Sequence, residues 1–207
     1  MINYDVIVIG AGPAGLFSAL TIKNKNILIL EKNLNSGKKL LISGAGQCNY
    51  TNGCDLTEFL TKYGSKNKGR FLKPALYNFT NYDAVKFFEM AGVGSVVRED
   101  KKVFPSSLKS KDILDVLIDK CNKNKVEIKY NSRAEDIIYD EINKCFKIKV
   151  KNRVYSCISL IIATGGSVYP QTGSTGDGYI FAKNLGHTIE EAVPALAPVF
   201  VENYNFQ

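Results

Sequence analysis

Three glycines stand at Gly10, Gly12 and Gly15 in the stretch Gly-Ala-Gly-Pro-Ala-Gly, and a carboxylate follows at Glu31. These residue types at this spacing suit the binding of a dinucleotide. Gly10 lets the chain turn sharply, Gly12 has no Cβ and admits a diphosphate to the backbone, and Gly15 lets a helix pack close to a sheet. The diphosphate then faces unpaired N–H groups at the positive end of the helix dipole. Pro13 suits a first helical turn, because the N–H it lacks would be unsatisfied there. Glu31 lies about 20 residues past the glycines, where a carboxylate can accept hydrogen bonds from a ribose diol. Ala11 and Ala14 within the turn, and Lys32 beside the acid, belong to the same expected cofactor-binding set.

The elements that position these groups are legible around them. Val6–Ile9 ends a strand, Leu16–Leu20 continues as a helix, and Ile27–Leu30 is a second strand ending at Glu31. A lone GxGxxG is weak, but strand, turn, helix, strand and acid agree here. The alternative is a glycine turn in another α/β protein.

Lys32 to Gly53 reads as a long, polar, glycine-rich loop, of the kind that in a compact domain usually has a function. Two or three helices follow between Asp55 and Met90, one capped at Thr80-Asn81. Short strands are expected at Val96-Val97 and at Lys102–Phe104, which Pro105 stops. Ser110 is read as the cap of a helix with Ile113, Leu114, Leu117, Ile118 and Cys121 on one face. Val126–Tyr130 is a further strand. Three alternating segments near Asp136–Tyr139, Cys145–Val150 and Val154–Cys157 resemble an antiparallel meander, and Leu160–Ala163 reads as a separate buried strand before Thr164-Gly165-Gly166. A second glycine-rich approach to a helix runs from Thr172 to Gly178, where Asp177 either accepts from a ribityl or ribose hydroxyl or simply caps the helix.

Composition bounds the rest. The chain has 207 residues, 45% of them hydrophobic, and no apolar run approaches the roughly 20 residues of a membrane span. No secretory signal is visible in the sequence. Five cysteines at irregular spacing, with no CxxC pair, argue against a disulfide framework, a metal site or a dithiol redox centre. A reducing cytoplasm fits that usage. The net charge of +7 comes from lysines dispersed among acids, so no nucleic-acid partner is expected.

Gly10–Gly15 with Glu31, Ala163-Thr164-Gly165-Gly166 and Thr175-Gly176-Asp177-Gly178 resemble the three FAD-contacting motifs of the fumarate-reductase-like flavoproteins. The Gly37–Asn52 block, Lys102–Pro105 and Tyr169–Ser174 narrow the resemblance to the bacterial YhiN/BaiN-like FAD-dependent oxidoreductases, over Asp5 to about Val201. The resemblance implies an α/β, Rossmann-like FAD-binding domain with a parallel core and an antiparallel meander, incomplete relative to the family. It implies FAD bound non-covalently. Gly10, Gly12, Ala14 and Gly15 would hold the diphosphate and Glu31 the adenosine ribose. Lys39, Leu40, Ser43, Gly44 and Asn49 would line the inner half of the cofactor. Ala134 would meet the adenine through its backbone, Ala163, Thr164 and Gly165 the cofactor's flank, and Asp177 the ribityl chain.

The expected chemistry is hydride exchange between the flavin N5 and a small organic substrate, with NAD(P)H as a candidate electron donor. The expected layout is an FAD-binding domain over 1–192 and the start of a truncated substrate-covering domain over 193–207, completed by a homo-oligomer or a missing C-terminal half. The alternatives are a non-catalytic dinucleotide-binding fragment that acts with a partner chain, and a tRNA-modifying flavoprotein. No catalytic residue is assigned. His187 reads as turning the chain after a helix end, Cys48 as a packed thiol, and Tyr169 as either packing or stacking on the flavin.

Overall fold

A computed structural model describes residues 3–63 and 66–193. The expected start of a second domain at 193–207 therefore lies almost wholly outside the described residues. Strand β1 (Tyr4–Ile9) leads through the glycine turn into helix α1 (Pro13–Thr21) and then β2 (Ile27–Leu30). β1 and β2 pair in parallel from Val6↔Ile27 to Ile9↔Leu30. Every residue of β2 is buried, as a parallel strand covered on both faces requires.

The stretch after Glu31 is not the structureless loop expected. It carries helix α2 (Lys38–Ile42), a 3-10 turn over Ser43–Gly46 and a short strand β3 (Thr51–Asn52). Its left-handed positions, Gly37 and Gly44 among them, bend the chain between these pieces. Helices α3 (Leu56–Thr61), α4 (Lys66–Asn78) and α5 (Asn81–Glu89) follow. Thr80 starts α5 as expected: its hydroxyl accepts from the Asp83 N–H, and the Asp83 carboxylate accepts from the Thr80 N–H. Strands β4 (Ser95–Val97) and β5 (Lys102–Pro105) pair antiparallel, and β5 also pairs with β3 in a small three-stranded sheet.

Helix α6 (Ser110–Lys123) begins one residue earlier than its expected cap allows. Lys109 occupies the cap position. Ser110 is already helical, and its hydroxyl donates to the Leu41 carbonyl at 2.9 Å, tying α6 to α2. The hydroxyl thus serves as a donor across the fold, and its position inside the first turn removes it from the cap.

Strands β6 (Glu127–Lys129), β7 (Asp136–Asp140), β8 (Cys145–Val150) and β9 (Arg153–Ile162) complete a six-stranded sheet in the order β6-β2-β1-β9-β8-β7. Val154–Cys157 and Leu160–Ile162 are not separate strands: both lie in the ten-residue β9. Its first half pairs antiparallel with β8 (Val150↔Arg153 to Phe146↔Cys157), and from Cys157 onward it pairs parallel with β1. The pattern changes along β9 because its neighbours change, and no turn intervenes. Helix α7 (Asp177–Asn184) closes the described chain.

The core lies on both faces of this sheet. On one, Val6, Val8, Ile27 and Ile29 pack against Leu16 and Leu20 of α1 and Ile113, Leu117 and Cys121 of α6. On the other, Ile7, Ile9, Leu28 and Leu30 meet Ile137 and Ile148 of the meander and Phe181 of α7. Both faces of β1 and β2 are thereby dry, and ligand-binding loops collect at their carboxyl ends.

Candidate functional site

The glycine turn follows directly from the ends of β1 and β2. The Gly10 N–H donates to the Leu30 carbonyl at 2.8 Å, and Gly10 has φ +105°, a left-handed geometry that favours glycine. A Cβ on Gly15 would sit 1.9 Å from the Gly10 carbonyl oxygen, so α1 can lie this close to β1 only without a side chain there. At Gly12, by contrast, a Cβ would meet nothing within 4 Å, and its φ is −77°. The protein itself does not need glycine at position 12; the open space in front of it does.

That space is a cleft lined by Gly10, Gly12, Pro13 and Ala14, by Glu31 and Lys32, by Lys39, by Ala134, by Ala163–Gly165 and by Asp177. Most of the expected cofactor-binding residues thus converge on one cavity from six separate segments. Four cations (Lys32, Lys38, Lys39, Arg133) and two carboxylates (Glu31, Asp177) line it, a net charge of +2. The first N–H groups of α1 have no intrahelical partner and lie at this wall. An FAD diphosphate and a ribose diol fit the lining: N–H groups and cations for the first, the Glu31 carboxylate for the second.

Ala11 and Gly15 do not line the cleft. Ala11 is buried; its N–H donates to Glu31 Oε2 at 2.7 Å, and its carbonyl accepts from the Gly37 N–H. Leu40, Ser43, Gly44 and Asn49 stand outside the cleft lining, on α2 and the turn after it. Leu40 packs against the core, and the Ser43 hydroxyl donates to the Leu40 carbonyl. Lys39 joins the two regions, because its Nζ donates to the Val168 carbonyl at 2.8 Å.

Glu31 is 6% exposed, and its second oxygen accepts from both the backbone and side-chain N–H groups of Asn33, each at 2.8 Å. Asp177 does not cap α7. Gly176 holds the cap position, and the buried Asp177 carboxylate accepts from Lys32 Nζ at 3.0 Å, Thr175 Oγ1 at 2.9 Å and Arg133 at 3.3 Å. Burial opposes its ionisation, but these bonds outweigh it and hold the carboxyl below the usual aspartate range.

Sequence reading missed Asn33 and Arg133 as cleft-lining residues; Thr172–Ser174, the start of the expected glycine-rich approach to α7, lines the cleft with them. Asn33 Nδ2 also donates to the Thr172 carbonyl, and a Cβ on Gly173 would lie 2.6 Å from that nitrogen. The only available signals were proximity to Glu31 and Ala134 in sequence. His187 turns the chain as expected: its N–H donates to the Ala182 carbonyl across Gly186. Cys48 is a packed thiol, pushed up in pKa by burial against a weaker opposing bond from Ser43. Tyr169 is 57% exposed and does not pack. No described helix is long and apolar enough to cross a membrane.

Comparison with known proteins agrees with this geometry. Residues 4–193 match the family model described as the HI0933-like protein Rossmann domain. The chain is 32% identical over 200 residues to a "Ribosomal RNA dihydrouridine synthase" of Escherichia coli (strain K12), covering 96% of this chain and 48% of that protein. It is 29% identical over 203 residues to a "3-dehydro-bile acid delta(4,6)-reductase" of Clostridium scindens, with the same coverage. The chain therefore spans about half the length of these curated relatives. Among solved structures, a flavocytochrome c3 fumarate reductase in its open conformation shares the fold, with a TM-score of 0.60 and 20% identity over 90% of this chain and 41% of that one.

Proposed function

The chain belongs to the HI0933-like Rossmann-domain family, and from that premise we propose that it is the FAD-holding module of an oxidoreductase that reduces a carbon–carbon double bond conjugated to a carbonyl. The observation that carries the cofactor is the open space in front of Gly12, at a helix start in a cleft of net charge +2. Gly10, Gly12, Pro13 and Ala14 would hold the diphosphate. Glu31 would accept from the adenosine ribose while keeping its bonds to Ala11 and Asn33, since a carboxylate has about four acceptor sites. Ala134 would bound the adenine. Lys39 and the Ala163–Gly165 turn would flank the inner half, beside Leu40, Ser43, Gly44 and Asn49.

When bound, FAD supplies the electron sink, so the protein need only position it, tune it and exclude water. The substrate class is supported by the relatives' printed names. Making dihydrouridine hydrogenates the uracil double bond conjugated to a ring carbonyl, and a 3-dehydro-delta(4,6) reductase acts on double bonds conjugated to a ketone. NAD(P)H is the proposed donor, reaching the flavin transiently, because the one dinucleotide fingerprint of this chain is taken by FAD. Residues 1–192 form the FAD domain, and further chain, from this polypeptide or a partner, covers the flavin.

A second reading, RNA uracil as the substrate, is favoured by the Escherichia coli relative's name and by the net charge of +7. The cofactor is tested by denaturing the purified protein and identifying what it releases. FAD in stoichiometric amount is expected; a nicotinamide dinucleotide with no flavin overturns the reading.

A further inference from the structure

Between Glu58 and Asp83 the chain carries no carboxylate, while Lys62, Lys66, Lys68, Arg70 and Lys73 all fall there. Charge elsewhere in this chain is mixed, so this run of five cations stands apart. The same stretch is rich in aromatic residues, and the structure leaves several of them in water. Phe71 is 84% exposed, Tyr82 54%, Tyr77 52% and Tyr63 38%.

The fold explains which rings face outward. Leu72 and Leu76 of α4 are half-buried, as is Phe79 just after it, whose ring packs 5.0 Å from the Phe17 ring of α1. Arg70, Lys73 and Tyr77 lie three and four residues apart, on one exposed stripe of the helix, with Phe71 beside it. Lys73 Nζ stands 5.4 Å from the centre of the Tyr77 ring, so cation and aromatic already form one unit. None of these side chains belongs to the cofactor cleft.

Lys62 is paired with Glu58 at 3.5 Å, but exposed rings beside the cations Arg70 and Lys73 are what a single-stranded nucleic acid requires: phosphates meet the cations and bases stack on the rings. A protein partner would be served by an apolar patch with mixed charge, and a carboxylate-free stretch favours a polyanion. We propose that the exposed face of α4 binds single-stranded RNA. The inference deepens the reading of RNA uracil as substrate and rests on it, and it revises the expectation that the basic charge has no nucleic-acid partner.

The test is fluorescence anisotropy of the purified chain with a labelled single-stranded oligouridylate, over a series of salt concentrations. Three double variants are compared with wild type: R70E with K73E, F71A with Y77A, and K144E with K151E on the meander as a charge control. All six side chains are exposed, and the flavin content and circular dichroism of each variant verify its fold. The R70E/K73E pair is expected to weaken binding at least tenfold and to lower the salt slope by about 1.4, the value for two phosphate contacts on a single strand. The F71A/Y77A pair is expected to weaken binding about fivefold or more without changing that slope. The control pair should change affinity much less. Absence of salt-dependent binding overturns both this surface and the RNA reading. Binding that the control pair weakens as much as the α4 pairs overturns the surface and leaves the RNA reading standing.

Discussion

The Glu31 carboxylate accepts a 2.7 Å hydrogen bond from the Ala11 N–H, twenty residues earlier in the chain. The acid at the end of β2 therefore holds the shape of the glycine turn as well as facing the cleft. Two functions meet in one buried side chain, and a single substitution tests both.

Glu31→Gln should weaken FAD binding and lower stability together. The amide keeps one acceptor and turns an NH2 group toward N–H donors of Ala11 or Asn33. Leaving a buried donor unpaired costs about 1–3 kcal/mol, and loss of a charged acceptor to the ribose costs a similar amount. Flavin titration and urea unfolding of the apoprotein read the two effects separately. Unchanged FAD affinity would place Glu31 outside the cofactor site.

Gly12 and Gly15 should separate binding from folding. Gly12→Ala adds a methyl to open space at a negative φ, so apoprotein stability should move by no more than about 1 kcal/mol, the scale of an N-cap change. FAD affinity should fall, because the methyl occupies the diphosphate's path. Gly15→Ala drives a Cβ into the Gly10 carbonyl and should destabilise the apoprotein by about 1–3 kcal/mol or more. Thermal unfolding without flavin, followed by flavin titration, tests the pair. Equal stability losses in the two variants would contradict it.

Asp177 should govern part of the acid limb of stability. Despite its burial, its bonds to Lys32, Thr175 and Arg133 lower its folded-state pKa. A lowered carboxyl contributes stability that is present above its unfolded value, about 3.9, and is lost as pH falls through the folded value. Asp177→Asn should be less stable than wild type at neutral pH and lose less stability on acidification below about pH 4. Urea midpoints measured against pH decide it; parallel curves for the two proteins would remove Asp177 from this role.

The cysteines should be silent toward thiol reagents while the protein is folded. All five are buried, and burial pushes the thiols of Cys121 and Cys157 up to about 11. Reaction needs the thiolate and access to it, and burial withholds access from all five. With a chromogenic disulfide at about pH 8, labelling should be slow until denaturant releases all five groups. Rapid labelling of any cysteine in the native protein would show that its segment opens.

The glycine turn at the end of β1 and the acid at the end of β2 were legible in the sequence because they are local. Gly10, Gly12, Gly15 and Glu31 lie within one β-α-β unit; Gly10, Gly15 and Glu31 each meet a steric or hydrogen-bonding need of their neighbours, and Gly12 leaves open space in front of the turn. The Thr80 cap was legible for the same reason, since its partner Asp83 is three residues away. What only the tertiary structure decided involves partners far apart in the chain. Ser110 turned from a cap into a donor to Leu41, 69 residues distant. Asp177, read as either a hydroxyl acceptor or a cap, is not the cap but the anchor of Lys32, 145 residues distant, and of Arg133. Two apparent strands became the single β9 because β8 lies beside one half and β1 beside the other. Hydrogen-bonding patterns along a chain record near neighbours, while a buried polar group takes whichever partner the packed fold brings within reach.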